Sequence, residues 1–573
     1  MASETPESTT IPVDTKAPLT DEPAKVVDAL PKYTRERDRQ ITEKIDDQIK
    51  QNPNMMPRAV WFIIPNEFAE RFCYYGITPL LRNYLIEIVN FSKTDASSWV
   101  HTFKVLTYFF PILGSLISDS FLGKYHTIVS LSVVYVIGVS LLAISSIPSV
   151  INGWLPILAL VVVALGTGGI KPCVSSHGGD QFIETIQKEN LNKFYNYFYM
   201  SINIGAVLSG FITPAIAQQV IYGLKTSTGA FLAHGDGYAW AFGLCAMVMA
   251  LALGVFVFGY RYYRVVPPTR TFILYDLLRV ALTALPRYLS ASKVERAAKR
   301  HWAAFADDLM GASMADETYD LFAIMPIILP APFFWMAFDQ NGTSWQNQGA
   351  QMKAAGFFND EVASAVINPF WIVVLVPIFS NLIYPAIEKR GYKFGLVQRM
   401  GIGMFFAGVS FVICALLQYR IDAVCTSDED HPTSCIDQNM SIFVQFVPYL
   451  VMTIGEVLVS ISGLNLLYNE VGSRTKASGA ALWLLGVSFG NLLATALFEG
   501  CRPGESDGMT YPNFFWLNAG LLFAFGIIQL VMTKFYVYKA DRPWHKAAEA
   551  AVLEKLESEK LLQAKITDEA IVA

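Results

Sequence analysis

The sequence predicts an all-α membrane protein of twelve transmembrane helices arranged as two six-helix bundles. Three observations predict it. Of 573 residues, 53% are hydrophobic and only 16% charged, and the charge gathers in the tails and a few loops. Twelve stretches have about the 20 predominantly apolar residues that a bilayer crossing needs. A basic polar segment, 264–319, separates six of these stretches from the other six.

In chain order, residues 1–57 are acidic and rich in Pro and Thr. A basic stretch followed by an apolar one is missing there, so a cytoplasmic disordered tail is expected rather than a signal peptide. The first bundle, 58–263, holds spans at 58–88, 99–118, 126–148, 153–175, 195–221 and 238–263. The linker, 264–319, has an amphipathic stretch from Phe272 to Leu285 and a charged one from Lys293 to Met310, which predict cytoplasmic helices whose basic face meets lipid headgroups. The second bundle, 320–538, holds spans at 320–341, 364–387, 397–419, 441–468, 477–500 and 512–537, and a charged tail, 539–573, closes the chain. Prolines interrupt several spans, which membrane helices tolerate where neighbours satisfy the freed backbone groups. Lys and Arg crowd one set of loops (Lys124, Lys188, Lys193, the linker, Lys389, Arg390, Arg474), so both termini are placed in the cytoplasm.

The first span carries Glu67, Glu70 and Arg71, although a charge at mid-membrane costs a few kcal/mol or more. With Tyr74, Tyr75 and Thr78 they form one helical stripe. Glu67 and Arg71, at i and i+4, can neutralise each other. That leaves Glu70 without a partner and marks it as a proton site. Other spans repeat the pattern of isolated polar groups. His101, Lys104 and Tyr108 stand at i, i+3 and i+7 on span 2, either in a proton-linked role or as a structural edge near the membrane surface. Span 4 delivers Lys171 beside Pro172, where it either snorkels or meets a buried partner. Tyr195, Tyr199 and Asn203 share a face of span 5, Asp339 lies between Trp335 and Trp345, Glu456 is on span 10 and Trp483 on span 11. Acids exceed deep bases in this set, so one carboxyl must be protonated or face water. A chamber with both charge signs and many aromatics suits a zwitterion with variable side chains. Lys171 and Glu456, on equivalent spans of the two halves, are expected to pair across them when the chamber is empty.

Weak repetition links the halves: Pro111-Ile112-x-x-x-Leu116-Ile117 before Lys124, and Pro377-Ile378-x-x-x-Leu382-Ile383 before Lys389. A two-bundle carrier binds its substrate between such halves. The loop Gly114-x-x-x-x-Asp119-x-x-x-Gly123-Lys124 has the form of the cytoplasmic gating loop of the major facilitator superfamily. Cys425 and Cys435 lie in one external loop, where an oxidising exterior favours a disulfide. Nothing in the sequence suggests an enzyme, a metal site, a cofactor or nucleic-acid binding.

Five motifs in order carry a closer resemblance. They are Glu67-x-x-Glu70-Arg71-Phe72-x-Tyr74-Tyr75-Gly76, Pro111-Ile112-Leu113-Gly114 with Asp119 to Tyr125, Gly169-Ile170-Lys171-Pro172, Phe198-Tyr199-x-x-Ile202-Asn203-x-Gly205, and Gly455-Glu456-Val457. From about residue 58 to 537 the chain resembles the proton-dependent oligopeptide transporter family, and its Asp180-Gln181-Phe182 loop and tails look most like fungal peptide permeases. The resemblance implies proton coupling by Glu67, Glu70, Arg71, His101 and Glu456. It implies a peptide carboxylate near Lys171, an amino terminus near Asn203, Asn368 and Glu456, and aromatic walls at Tyr75, Tyr84, Tyr108, Tyr199, Trp345 and Trp483. Two positions depart from the family pattern: Thr78 where many members have Arg, and Ser380 where Asp often stands. The implied function is proton-coupled import of di- and tripeptides by a monomeric, multi-pass plasma-membrane protein. The alternatives are a member carrying nitrate or another small acid or amino acid, and a peptide sensor without flux.

Overall fold

The computed structural model describes residues 36–147, 153–218, 237–268, 273–425, 436–472, 476–505 and 507–547. The first helices are α1 (Glu36–Gln51), α2 (Val60–Glu87), α3 (Lys93–Ile117), α4 (Lys124–Ser145), α5 (Trp154–Gly179), α6 (Glu184–Ala217) and α7 (Gly237–Phe258). After the linker helix α8 (Ile273–Ser290) come α9 (Ala312–Ile328), α10 (Ala331–Phe338), α11 (Ser344–Ala350) and α12 (Asp360–Ile378). The chain continues through α13 (Leu396–Cys425), α14 (Phe446–Glu456), α15 (Ser462–Glu470), α16 (Lys476–Cys501) and α17 (Tyr511–Met532). A short parallel pairing joins β1 (Met352–Lys353) to β2 (Asp437–Ser441).

Among the described residues, ten helices are long and apolar enough to cross a membrane, and one bent pair makes eleven. The twelfth predicted span is α2. It is 28 residues long, but Glu67, Glu70, Arg71, Arg82 and Glu87 interrupt its apolar run. The bent pair is span 7, which turns by 50° where Pro330 separates α9 from α10. Proline lacks the amide hydrogen that would continue the helix. Span 10 is also discontinuous: a π-helical turn, Val457–Ile461, joins α14 to α15 directly after Glu456. Such turns insert one residue into the ladder and re-aim the side chains around them. Ser92 starts α3 and Asn359 starts α12, each side chain accepting from a backbone amide three residues on.

Each half has its own apolar core. One runs from Ala59 to Val265 and the other from Ile324 to Leu522. A third, smaller cluster sits under the linker, where Leu277, Val280 and Ala284 meet Met314, Leu321 and Val471.

The amino-terminal tail differs from expectation. Residues 36–51, expected to be disordered, form α1, which docks on the first bundle. Ile49 is fully buried, Thr42 Oγ1 accepts from the Val265 amide at 3.1 Å, Asp46 pairs with Arg264 at 2.7 Å and Tyr260 donates to Asp38. Alternating charges along the helix hid this buried edge from a reading of composition. The start of the carboxy-terminal tail is likewise packed. Asp320, completely buried at the beginning of span 7, receives Lys539 at 3.2 Å, His545 at 3.0 Å and the Arg542 guanidinium. Glu470, ending α15, accepts from Tyr536 at 2.6 Å and from the Lys539 amide at 2.7 Å.

Candidate functional site

The stripe on α2 meets α5. Arg71 Nε lies 2.9 Å from Glu67 Oε1 and 2.6 Å from Glu70 Oε2. Its N–H points at Glu67, so the approach of Glu70 is an ion pair off the donor direction. The Thr167 hydroxyl of α5 donates to the other Glu70 oxygen. The expectation that Glu70 stands without a partner is therefore corrected: one guanidinium serves two carboxylates. Only a neighbouring helix could supply Thr167, so the first span alone could not show it. Lys171 stands one turn beyond Thr167. Its ammonium sits 4.4 Å from the Tyr74 ring centre and 4.2 Å from that of Tyr108, a cation held over two aromatic faces. It is within electrostatic reach of Arg71, Glu70 and Glu67.

In the other half, Asn368 of α12 donates to Glu456 Oε2 at 2.7 Å and to Thr453 at 3.1 Å. Helix α2 also packs against α12, the helix that carries Asn368. Trp483 meets Trp335 edge-on at 6.0 Å. Tyr199 is 59% exposed, and Asn203 donates to its carbonyl. Thr78 donates to the Tyr74 carbonyl and stays on its own helix.

Three expectations fail here. No ion pair joins Lys171 to Glu456 among the described residues: the lysine rests on aromatic rings and the glutamate on an amide. Aromatic faces and a side-chain amide satisfy each charge locally, so a pair across the gap is unnecessary. Tyr84 is fully buried inside the first bundle, bonded to Ser145 and edge-on to Phe242. Trp345 is buried in the second bundle against Phe411 and Tyr449. Both are core residues in this conformation, since an aromatic on a span cannot be assigned to core or chamber from spacing alone.

Toward the end of the bundles away from the termini, a polar network fastens the halves together. Lys104 reaches Asp339 Oδ1 at 2.7 Å, and Asn491 donates to Asp339 Oδ2 at 2.6 Å. His101 bonds Asn491 at 2.9 Å and Thr343 at 3.2 Å. His101 is completely buried and Lys104 nearly so. Farther out, Arg82 donates to Asn347 at 2.8 Å, and Asn83 to Asp360 and Glu361 at 3.0 Å each. The sequence pattern did not single out Asn491, Thr343, Arg82, Asn83 or Glu361. The one available signal was a polar residue inside an apolar run, which Asn491 and Asn83 both give.

In the gating loop, Gly123 has φ +75°, a left-handed conformation that favours glycine. Lys124 pairs with Asp180 at 2.6 Å, and Arg264 donates to the Asp180 carbonyl at 3.0 Å. The Asp119 side chain lies outside the described residues, as do Cys435 and the Cys425 side chain. Among the described residues no group of three His, Cys, Asp or Glu could hold a metal.

Comparison with known proteins agrees with this geometry. The family model for the POT family matches residues 125–513. Human solute carrier family 15 member 1 is 35% identical over 381 residues, covering 64% of this chain and 52% of that protein. Peptide transporter family 2 of Caenorhabditis elegans is 34% identical over 387 residues, covering 64% and 48%. The chain thus spans about half the length of the curated relatives it matches. The crystal structure of the POT family transporter PepTSo superposes with a TM-score of 0.71 at 26% identity, covering 84% of this chain and 99% of that one. The crystal structure of an auto-inhibited POT family peptide transporter superposes at 0.70 and 23% identity, a likeness of fold. With the two-bundle architecture, the paired acids on α2 and the matched model all in agreement, the chain belongs to the POT family.

Proposed function

We propose that this protein imports di- and tripeptides together with protons by alternating access. One observation carries the reading: the stripe of Glu67, Glu70 and Arg71 beside Lys171 on one half, with Asn368 and Glu456 on the other, whose helix α12 packs against α2. Cations and aromatic faces on one wall suit a peptide carboxylate, and a carboxylate with an amide on the facing wall suits an amino group. On this reading the network at His101, Lys104, Asp339 and Asn491 is the gate on the outer side, closed here. Protonation of Glu67 or Glu70 would release one arm of Arg71, and proton binding at His101 would break the network above. Tyr75, Tyr108, Tyr199 and Trp483 would hold variable side chains, and the Lys124–Asp180 pair would steady the gating loop.

The setting that goes with this reading is a plasma membrane with both termini in the cytoplasm and the monomer as the working unit. Within the family we place the chain with fungal-type peptide permeases on its Asp180-Gln181-Phe182 loop and tails, although the relatives compared above are animal proteins. The membrane potential contributes about 2.3 kcal/mol per charge per 100 mV to uptake.

The test is uptake of a labelled dipeptide into proteoliposomes under an inward proton gradient. Accumulation above equilibrium is expected, competed by di- and tripeptides and untouched by nitrate or free amino acids. Glu67→Gln/Glu70→Gln should abolish accumulation and leave counterflow of preloaded peptide. Proton-driven accumulation by that double variant, or competition by nitrate alone, overturns the reading.

A further inference from the structure

Near the end of the bundles away from the termini, α2 meets the second half through two adjacent residues. Arg82 is 3% exposed and donates to Asn347 Oδ1 of α11 at 2.8 Å and to Asn83 Oδ1 at 3.2 Å. Its Nε is buried without a hydrogen-bond partner. Among the described residues no carboxylate lies at salt-bridge distance from it, although a buried arginine is normally paired. Two acids stand one side chain away. Asn83 Nδ2 donates to Asp360 Oδ2 and to Glu361 Oε1 at 3.0 Å each. An amide nitrogen carries two hydrogens and the amide oxygen accepts. This one side chain therefore faces the cation with its oxygen and two carboxyl groups with its hydrogens.

The surroundings hold the acids in place. Glu361 is 3% exposed, and the Tyr238 hydroxyl of α7 lies 3.3 Å from it and 3.1 Å from Glu87 of α2. Gln346 of α11 donates to the Pro79 carbonyl of α2 at 3.0 Å. The contact is thus made through amides and a phenol, with charges of opposite sign close together and unpaired. That choice matters where a contact must open. A direct arginine–carboxylate bridge is short and frequently bidentate, its attraction grows in low-dielectric surroundings, and parting a buried one strands both charges. Bonds relayed through a neutral amide part more easily. Arg82 keeps Asn83, which is on its own helix, and Asp360 and Glu361 pass to water.

Resting on the reading of the chain as an alternating-access carrier, we propose that Asn83 is a positioning residue of the outer gate. Its amide keeps Arg82 from pairing with Asp360 or Glu361, and so keeps the closed contact weak enough to part in each cycle. Without the amide the guanidinium swings into a direct ion pair across the halves, and the gate stays shut. Asn83 acts through Arg82, without touching peptide or proton.

The experiment uses the full-length protein in lipid nanodiscs without peptide. Nitroxides are placed on the outer ends of α2 and α12 and their separation is measured by pulsed spin resonance, with the protein lacking these sites labelled in parallel to subtract native cysteines. Asn83→Ala should lower the share of long, open distances several-fold. The same change beside Arg82→Gln should leave that share unchanged or raise it relative to Arg82→Gln alone, because a glutamine makes no ion pair. Asn83→Ser, with a shorter polar group, should act in the same direction as Asn83→Ala and serves in its place if the alanine variant does not fold. A purely structural role for Asn83 would not depend on the charge at position 82. Opening or no change with Arg82 present overturns the proposal, and so does equal closure in both backgrounds. The distances need neither peptide nor a proton gradient, so this test fails separately from peptide uptake.

Discussion

At the scale of single residues, the chemistry turns on how few cations serve how many acids. Arg71 is shared by Glu67 and Glu70, so its removal leaves two buried carboxylates facing each other with only Thr167 and Lys171 near. Breaking a buried ion pair from one side typically costs about 3–5 kcal/mol. Arg71→Ala should therefore lower the melting temperature in detergent sharply, and Glu67→Gln/Arg71→Ala/Glu70→Gln should recover much of it. A triple variant no more stable than the single would show that the three do not act as one charge cluster. Lys171 and Glu456 make the opposite case. Each is satisfied within its own half, so the stability losses of Lys171→Ala and Glu456→Ala in the empty carrier should add to within about 0.5 kcal/mol. A clearly non-additive double variant would restore the pair across the halves that the sequence suggested.

At the scale of elements, close helix approach and broken helices decide the architecture. Gly114 of α3 lies so near α5 that a Cβ added there would overlap the Gly169 backbone. Small residues at such crossings let membrane helices pack by van der Waals contact. Gly114→Val should force α3 and α5 apart and reduce the yield of folded, monodisperse protein. Gly123→Ala, in the loop that follows α3, should cost only about 1–2 kcal/mol, the penalty of a left-handed residue with a side chain. Comparison of the two by thermal unfolding checks this order; a milder effect at Gly114 contradicts the packing described. The breaks at Pro330 and at Val457–Ile461 fall in the two spans that carry Asp339 and Glu456, so each of these carboxylates sits near a place where its helix can bend.

At the scale of the whole molecule, the halves are held together by the network around Asp339. Lys104 and Asp339 come from different bundles, and neither has another partner of opposite charge at salt-bridge distance among the described residues. Lys104→Ala should shift the carrier toward the outward-open arrangement, read as longer distances between spin labels placed on the outer ends of α2 and α12. The double variant Lys104→Ala/Asp339→Ala should show a coupling of about 0.5–3 kcal/mol in stability. Outer distances unchanged in the single variant would mean that this pair does not fasten the gate. The straps α1 and Tyr536–His545 each bind one half, and neither shows in composition, where charged tails look solvent-exposed.

Hydropathy and the loop charges determine the twelve spans and their two sets of six, because a bilayer constrains length and polarity strongly enough to be read residue by residue. The stripe on the first span and the isolated Lys171, Asp339 and Glu456 mark the site for the same reason: a charge in an apolar run needs an explanation. What the sequence could not decide is which charge meets which. Arg71 with two acids, one of them also held by Thr167, Lys171 on two tyrosine rings, Lys104 with Asp339, and Asp320 under three basic groups all depend on how helices meet. Helical periodicity specifies the face a residue occupies, whereas its partner depends on how neighbouring helices cross and how deeply each is set. Only the tertiary structure supplies those two quantities, and with them the difference between Tyr84 or Trp345 in the core and Tyr108 under the Lys171 ammonium.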